Sequence, residues 1–379
     1  MILARGRTGG GRQAKRHRPR PWRKAAGRGV ARALLVLALL AGALAWWASH
    51  RYAGFANEPI AGLEQGGSIV LAPGDSLAAM LRKLRAAGAA GGHDTEWRLL
   101  ARETGAAGKL QIGEYALAPG TTPRQLLERM RDGKVLGRRI TIVEGWNLRE
   151  LRAALAKAEP LLHASKGMDD AALMRAIGHP GVHPEGRFLP ETYLYQRGDS
   201  DLDILRRAHA AMEQALAQAW EARAPDLPLH SPDEALVLAS IVEKETGLAS
   251  ERAQIAGVFA RRLEKGMLLQ TDPTVIYGLG SAYDGNIRKR DLIADTPYNT
   301  YTRAGLPPTP IAMPGRAALQ AAVDPAAGEA LYFVARNDGS HVFSATYPEH
   351  NAAVDCYQRR RCPAAPAANN GAPGEARQR

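Results

Sequence analysis

Seventeen consecutive residues without a charge, Ala33 to Ser49 (ALLVLALLAGALAWWAS), constrain this chain more than any other feature. As a helix they extend about 25 Å at 1.5 Å per residue, the short end of a bilayer span. Trp46 and Trp47 fall where interfacial aromatic residues sit. Before Ala33 there are 11 basic residues, Arg5 to Arg32, and no acidic one. That flank predicts a basic cytoplasmic tail over 1–32 and a single transmembrane helix over 33–49, with everything after about residue 50 outside. The competing reading is a cleaved signal peptide. Ala45-Trp46-Trp47-Ala48 is a poor small-x-small cleavage site, and bulky Trp favours retention.

The charge balance supports the same reading. The net charge over 379 residues is +12. Taking away the 11 basic residues of the tail leaves +1 for everything else. A basic nucleic-acid-binding domain therefore has little support, and no nucleic-acid partner is expected. With 45% hydrophobic and 23% charged residues, the remainder has globular composition, enough for two domains. Cys356 and Cys362 are the two cysteines, and they could pair in an oxidising compartment. The 10 histidines are scattered without zinc-ligand spacing, so neither a metal nor a cofactor is expected.

Along the chain, residues 50–66 read as a juxtamembrane linker and 67–137 as a small β-α-α-β-α unit. Pro73-Gly74 stops a strand at Ser68 to Leu71, and Asp75 or Ser76 can cap the next helix. Thr122-Pro123-Arg124-Gln125 is a capping box with Pro at the first helical position. The larger domain spans 138–356. It opens on a strand at Arg139 to Val143 and a helix from Leu148. The Gly- and Pro-rich segment at 178–195 reads as a loop with short extended pieces. A long amphipathic helix is expected over 201–222, and residues 357–379 read as a disordered tail.

Ser231-Pro232-Asp233-Glu234 is the strongest local signal, a helix start with a capping box closed by Glu234. The helix runs ALVLASIVEKET, apolar on most sides and therefore buried. Its two glutamates differ. Glu245 follows Ile241 and Val242 by four and three positions, on the most apolar stripe. Glu243 follows Ala239 and Ser240, a smaller and more polar face. Apolar walls and a helix C-terminus both disfavour the ionised carboxylate and raise its pKa, as a general acid near neutral pH requires. Two solvated glutamates at a fraying helix end are the bland alternative. Downstream, Leu268-Leu269-Gln270-Thr271-Asp272-Pro273 reads as a polar turn between apolar runs, where Asp272 caps a turn. Loops around Tyr298, Asn299 and Pro307 mix aromatic, amide and proline groups that suit stacking on sugars.

Together IVEKETG, LLQTDPTVIYGLG, TPYNTYTRAGLPPTPI and LYFVARNDGSHVFSATYPEHN, with EGRFLPETYLY upstream, resemble the membrane-bound endolytic murein transglycosylases, or YceG-like proteins. The resemblance covers about residues 68–355. It implies an α+β fold class with a single transmembrane helix, a LysM-like β-α-α-β-α module and a larger α+β catalytic domain. It further implies non-hydrolytic cleavage between N-acetylmuramic acid and N-acetylglucosamine, leaving 1,6-anhydro ends and terminating strand elongation. The catalytic acid would be Glu245. Candidates for substrate positioning or assistance are Gln270, Asp272, Tyr298, Asn299 and Glu191. Expected partners are peptidoglycan glycan strands, the inner membrane through one helix, and peptidoglycan synthases, with the catalytic domain periplasmic. The competing function is a non-catalytic glycan-binding scaffold that recruits wall-synthesis enzymes. The long basic tail and the Cys356–Cys362 extension depart from the family's pattern.

Overall fold

A 36-residue helix, α1 (Trp22–Asn57), opens the computed structural model, which describes residues 22–362. The basic residues before Trp22 and the expected tail beyond Cys362 lie outside the described residues. Within α1, Gly29–Asn57 is long and apolar enough to cross a membrane. Leu34, Leu39 and Leu44 are 61–65% exposed, so none of the described residues covers this stretch. The helix continues past Ser49, which corrects the expectation of a linker over 50–66. Tyr52, Phe55 and Ala56 recur at helical spacing and form an apolar stripe. Phe55 meets Trp97 edge-on at 5.3 Å, and Ala56, Ile60 and Leu63 are buried in the core that follows.

The chain divides into two units between Val135 and Leu136. After α1 the first unit contains β1 (Ser68–Leu71), α2 (Leu77–Ala86), α3 (Asp94–Glu103), β2 (Gly113–Ala116) and α4 (Pro123–Arg131). This is the β-α-α-β-α order expected from the sequence. β1 and β2 pair antiparallel, Ser68 opposite Ala116 and Leu71 opposite Gly113. The helix starts follow their caps: Ser76 accepts from the Ala79 N–H, and Thr122 with Gln125 forms a capping box. Met80, Trp97, Leu100, Tyr115 and Leu127 fill the core between the two strands and the helices.

The second unit begins with β3 (Arg138–Thr141), α5 (Leu148–Leu155), α6 (Asp170–Ile177) and β4 (Thr192–Tyr195). The helices α7 (Asp201–Glu221), α8 (Pro232–Glu245), α9 (Arg252–Glu264), α10 (Asp272–Leu279), α11 (Lys289–Ile293) and α12 (Arg316–Val323) follow. The hairpin β5 (Tyr332–Ala335) and β6 (His341–Ser344) and the helix α13 (Tyr347–Tyr357) close it. β4 pairs antiparallel with β3, so the end of the Gly- and Pro-rich segment is a strand. One core joins β3, β4, α5, α6 and the first half of α7; a second joins the end of α7 to α8, α9 and α12. Helix α8 is central to the latter: Ala235 to Val242 are all buried. Ser231 caps it by accepting from the Glu234 N–H at 3.2 Å. The Glu234 carboxylate turns instead to the His230 N–H at 2.7 Å, so the expected box does not close on Ser231.

At the C-terminal end Cys356 and Cys362 form a disulfide, and α13 includes Tyr357, so the expected tail starts later than residue 357. The bridge spans a sequence separation of only 6 and constrains little of an unfolded chain. Replacing both cysteines with Ser is expected to cost no more than about 2 kcal/mol and to leave turnover unchanged, as thermal melting and a cleavage assay will report.

Candidate active site

Helix α8 delivers Glu245 from the core to a half-buried position at its last residue, where Thr246 turns extended and ends the helix. One carboxyl oxygen, Oε1, accepts the Thr271 hydroxyl proton in a short hydrogen bond. Thr271 is itself held on several sides. Its N–H donates to Thr300 Oγ1 at 3.1 Å, and its carbonyl accepts from Thr274 Oγ1 at 2.7 Å. Thr274 and Thr300 share a hydrogen bond at 2.9 Å. Oε2 of Glu245 has no hydrogen-bond partner among the described residues. Burial, with the Asp272 charge adding to it, pushes the carboxyl up to about 7, against the Thr271 hydrogen bond and the nearby His341.

The turn that supplies Thr271 is anchored from below by Arg262, which is 7% exposed. Its guanidinium donates to the carbonyls of Leu331 at 2.7 Å, Leu268 at 3.0 Å and Leu269 at 2.9 Å. It also lies over the Tyr332 ring at 5.0 Å. His341 is fixed in turn by Glu251, which accepts from its N–H at 2.9 Å and meets its ring Nδ1 at 2.7 Å.

The sequence-predicted residues take different places. Gln270 is exposed beside this site with φ 53, a left-handed conformation uncommon outside glycine, and its N–H donates to the Thr300 carbonyl at 3.1 Å. Asp272 is the exposed first residue of α10 and accepts from the Tyr301 hydroxyl at 2.6 Å. The expected polar turn is thus the start of a helix, with Pro273 in its first turn where no N–H is lost. Tyr298 packs edge-on against Tyr277 at 4.9 Å and shares a hydrogen bond with Thr309 at 2.9 Å. Asn299 is 1% exposed, and its amide donates to the carbonyls of Asp291, Leu292 and Ala294 while accepting from the Tyr301 N–H. With its hydrogen-bonding capacity spent on the chain, this side chain shapes the loop and has nothing left for a ligand. Glu191 is exposed and paired with Arg316 at 3.1 Å. Glu243 accepts the N–H of Gly315, just before α12, at 3.0 Å, and burial raises its pKa as well. The polar face expected there is less solvated than its small residues suggest.

Beside this site lies a cavity of about 760 Å³ lined by Lys244, Pro273, Ile276, Tyr277, Tyr283, Tyr298 and Glu185 among others. Glu245 is not among the lining residues, but Lys244 precedes it and Pro273 follows Asp272. Two acids line it, Asp170 and Glu185; the buried one is Glu185, which sequence reasoning did not name although it named Glu191 in the same EGRFLPETYLY segment. Glu185 is 3% exposed and accepts from the Leu148 N–H at 3.0 Å and the Tyr277 hydroxyl at 3.0 Å. Gly186 after it has φ 78, and a Cβ there would meet Pro310 at 2.5 Å, so only glycine lets the two loops close.

Burial pushes Glu185 up to about 7, with its three hydrogen bonds acting against that. A carboxyl whose folded pKa exceeds its unfolded one holds extra protons in the native state, so stability declines as pH rises from about 4.5 through 7. Glu185→Gln removes that decline. Relative to the parent, its stability is expected to improve between pH 5 and pH 8 by up to about 3 kcal/mol, read from melting curves at both pH values.

Residues 69–356 match the family model described as YceG-like family. A protein of Bacillus subtilis (strain 168) named endolytic murein transglycosylase is 32% identical over 270 residues, covering 67% of this chain and 74% of that one. A protein of the same name from Streptococcus pneumoniae serotype 2 is 30% identical over 201 residues, 52% of this chain and 34% of that longer one. Among solved structures, a yceG-like protein of Listeria monocytogenes aligns with a TM-score of 0.50 at 29% identity, covering 76% of this chain and 98% of that one.

Proposed function

The chain belongs to the YceG-like family, and from that premise we propose that it is an endolytic murein lytic transglycosylase with Glu245 as its one acid–base group. The observation that carries this reading is the state of Glu245. Thr271 occupies Oε1, Oε2 is left to hold a proton, and burial keeps that proton on up to about pH 7. That is the condition of a general acid at neutral pH.

In the proposed reaction Oε2 gives its proton to the glycosidic oxygen between N-acetylmuramic acid and N-acetylglucosamine. The C1–O bond breaks through an oxocarbenium-like state, and N-acetylglucosamine leaves with a free hydroxyl. The muramic C6 hydroxyl then closes on C1, and its proton returns to the Glu245 carboxylate. One carboxyl serves both transfers and no water is consumed, unlike the two-carboxylate arrangement of hydrolytic glycosidases. Asp272 keeps the Glu245 proton in place through its charge. Gln270 and Tyr298 position the sugar units, Tyr298 from the wall of the cavity. In the same proposal α1 anchors the protein in the inner membrane with its basic tail inside and both units in the periplasm. The β-α-α-β-α unit is LysM-like, cleavage terminates strand elongation, and the partners are peptidoglycan synthases.

Full-length protein in detergent, incubated with isolated glycan strands, is expected to yield internal fragments that end in 1,6-anhydro-muramic acid by mass analysis. Strands that are bound but left intact would favour the scaffold function instead. A truncation that begins after residue 56 would be a poor substitute, because Tyr52, Phe55 and Ala56 complete the core of the first unit.

A further inference from the structure

A second cluster in the larger unit is not used by the proposed reaction. His179 follows Gly178, the left-handed residue that ends α6, and His209 and Glu213 sit one turn apart on α7. One ligand atom from each lies within 4.8 Å of the others. His209 is 2% exposed, and neither ring nitrogen has a hydrogen-bond partner among the described residues. A buried imidazole with two idle nitrogens forfeits the bonds that water would give it, so an unseen partner is called for.

The distances identify the partner. Oε2 of Glu213 lies 3.5 Å from Nδ1 of His209, and Oε1 lies 3.7 Å from Nδ1 of His179. Both gaps are too long for an N–H···O bond of roughly 2.7–3.2 Å. Each is close to the spacing of neighbouring ligands around one ion, since bonds of about 2.0–2.1 Å put such ligands about 3.3 Å apart, and the carboxylate offers one oxygen toward each imidazole. The two ring centroids lie 3.8 Å apart with their planes tilted by 31°, a closeness that two protonated imidazoles would resist. Arg187 brings positive charge near His209, but Asp233 engages it at 2.8 Å.

We propose that His179, His209 and Glu213 bind a divalent cation of the zinc class. Two imidazole nitrogens and one carboxylate suit zinc rather than magnesium or calcium, and the half-exposed Glu213 leaves a path in from solvent. The ion would clip the segment after α6 to α7. The same segment runs on to His183 and Glu185 in the cavity wall, so metal binding would steady the cavity.

The test uses full-length protein stripped with chelator and titrated with Zn²⁺, and in parallel with Co²⁺. The expected result is one zinc per chain, a higher melting temperature with zinc, and the visible absorption bands of four-coordinate cobalt. Glu213→Gln and His179→Gln are each expected to weaken zinc binding by at least about tenfold, with metal-free melting temperatures near that of the parent. Failure of the parent to bind zinc or to give cobalt bands overturns the proposal, as does unchanged zinc affinity in either variant. If a variant fails to fold, the cobalt spectrum of the parent decides alone.

Discussion

Glu245→Gln is expected to fold normally and to lower the yield of anhydro-ended glycan by about 10²–10⁴-fold. Glutamine has the shape of the protonated acid, and its amide oxygen can still accept from Thr271. It has no proton to give to the leaving oxygen. The same substitution also reports on burial. The native carboxyl is pushed up to about 7 from 4.5, so keeping it ionised costs stability as pH rises through that window, and the cost is full above it. At pH 8 the variant should therefore melt no lower than the parent. The parent's own turnover should decline as pH rises past about 7, as the acid loses its proton. Glu243→Gln, two residues away, should keep turnover and melt close to the parent, because the glutamine oxygen can still accept from the Gly315 N–H at the start of α12 and no buried charge is left there. An inactive Glu243 variant beside an active Glu245 variant would reverse the assignment.

Arg262→Met should have the largest effect on stability. The guanidinium donates to the carbonyls of Leu268, Leu269 and Leu331, and methionine fills part of the volume without any donor. Buried carbonyls that lose their partner cost about 1–3 kcal/mol each. A total loss of about 3–5 kcal/mol is expected, lowering the melting temperature by about 10 °C. Turnover should fall with it at temperatures where the variant is still folded, because the turn that carries Gln270 and Thr271 rests on these bonds. Arg262→Lys should fall between the two, since an ammonium lacks the planar fork that reaches several carbonyls at once. A melting temperature within a degree of the parent's would show that the clasp is dispensable.

What could be read from the sequence was local. Ser76, Thr122 and Ser231 announced the helices they cap, and the unbroken apolar run from Leu236 to Val242 announced a buried α8. The inequality of Glu243 and Glu245 was visible in part, as helix spacing distinguishes the residues one turn back. Contacts between distant segments were not visible. Thr271 reaches Glu245 across a separation of 26, Gly315 reaches Glu243 across 72, and Tyr277 reaches Glu185 across 92. Nothing in the pattern around Asn299 shows that its amide closes three carbonyls of its own loop rather than facing outward. Glu185 escaped notice for the same reason: Glu185 and Glu191 are both acids among aromatic residues, and only the closure of the Gly186 loop on Pro310 buries one of them. The end of α1 was misread on composition, because Tyr52, Phe55 and Ala56 are too few to look like core until the rest of that core is in place.

The most direct measurement of the central claim is cleavage of isolated glycan strands by the full-length protein in water enriched with heavy oxygen, followed by mass analysis of the new ends. A single carboxyl that returns its proton through the C6 hydroxyl predicts 1,6-anhydro ends carrying no label. Reducing ends that carry the heavy oxygen would mean that water attacks C1, and would contradict the account.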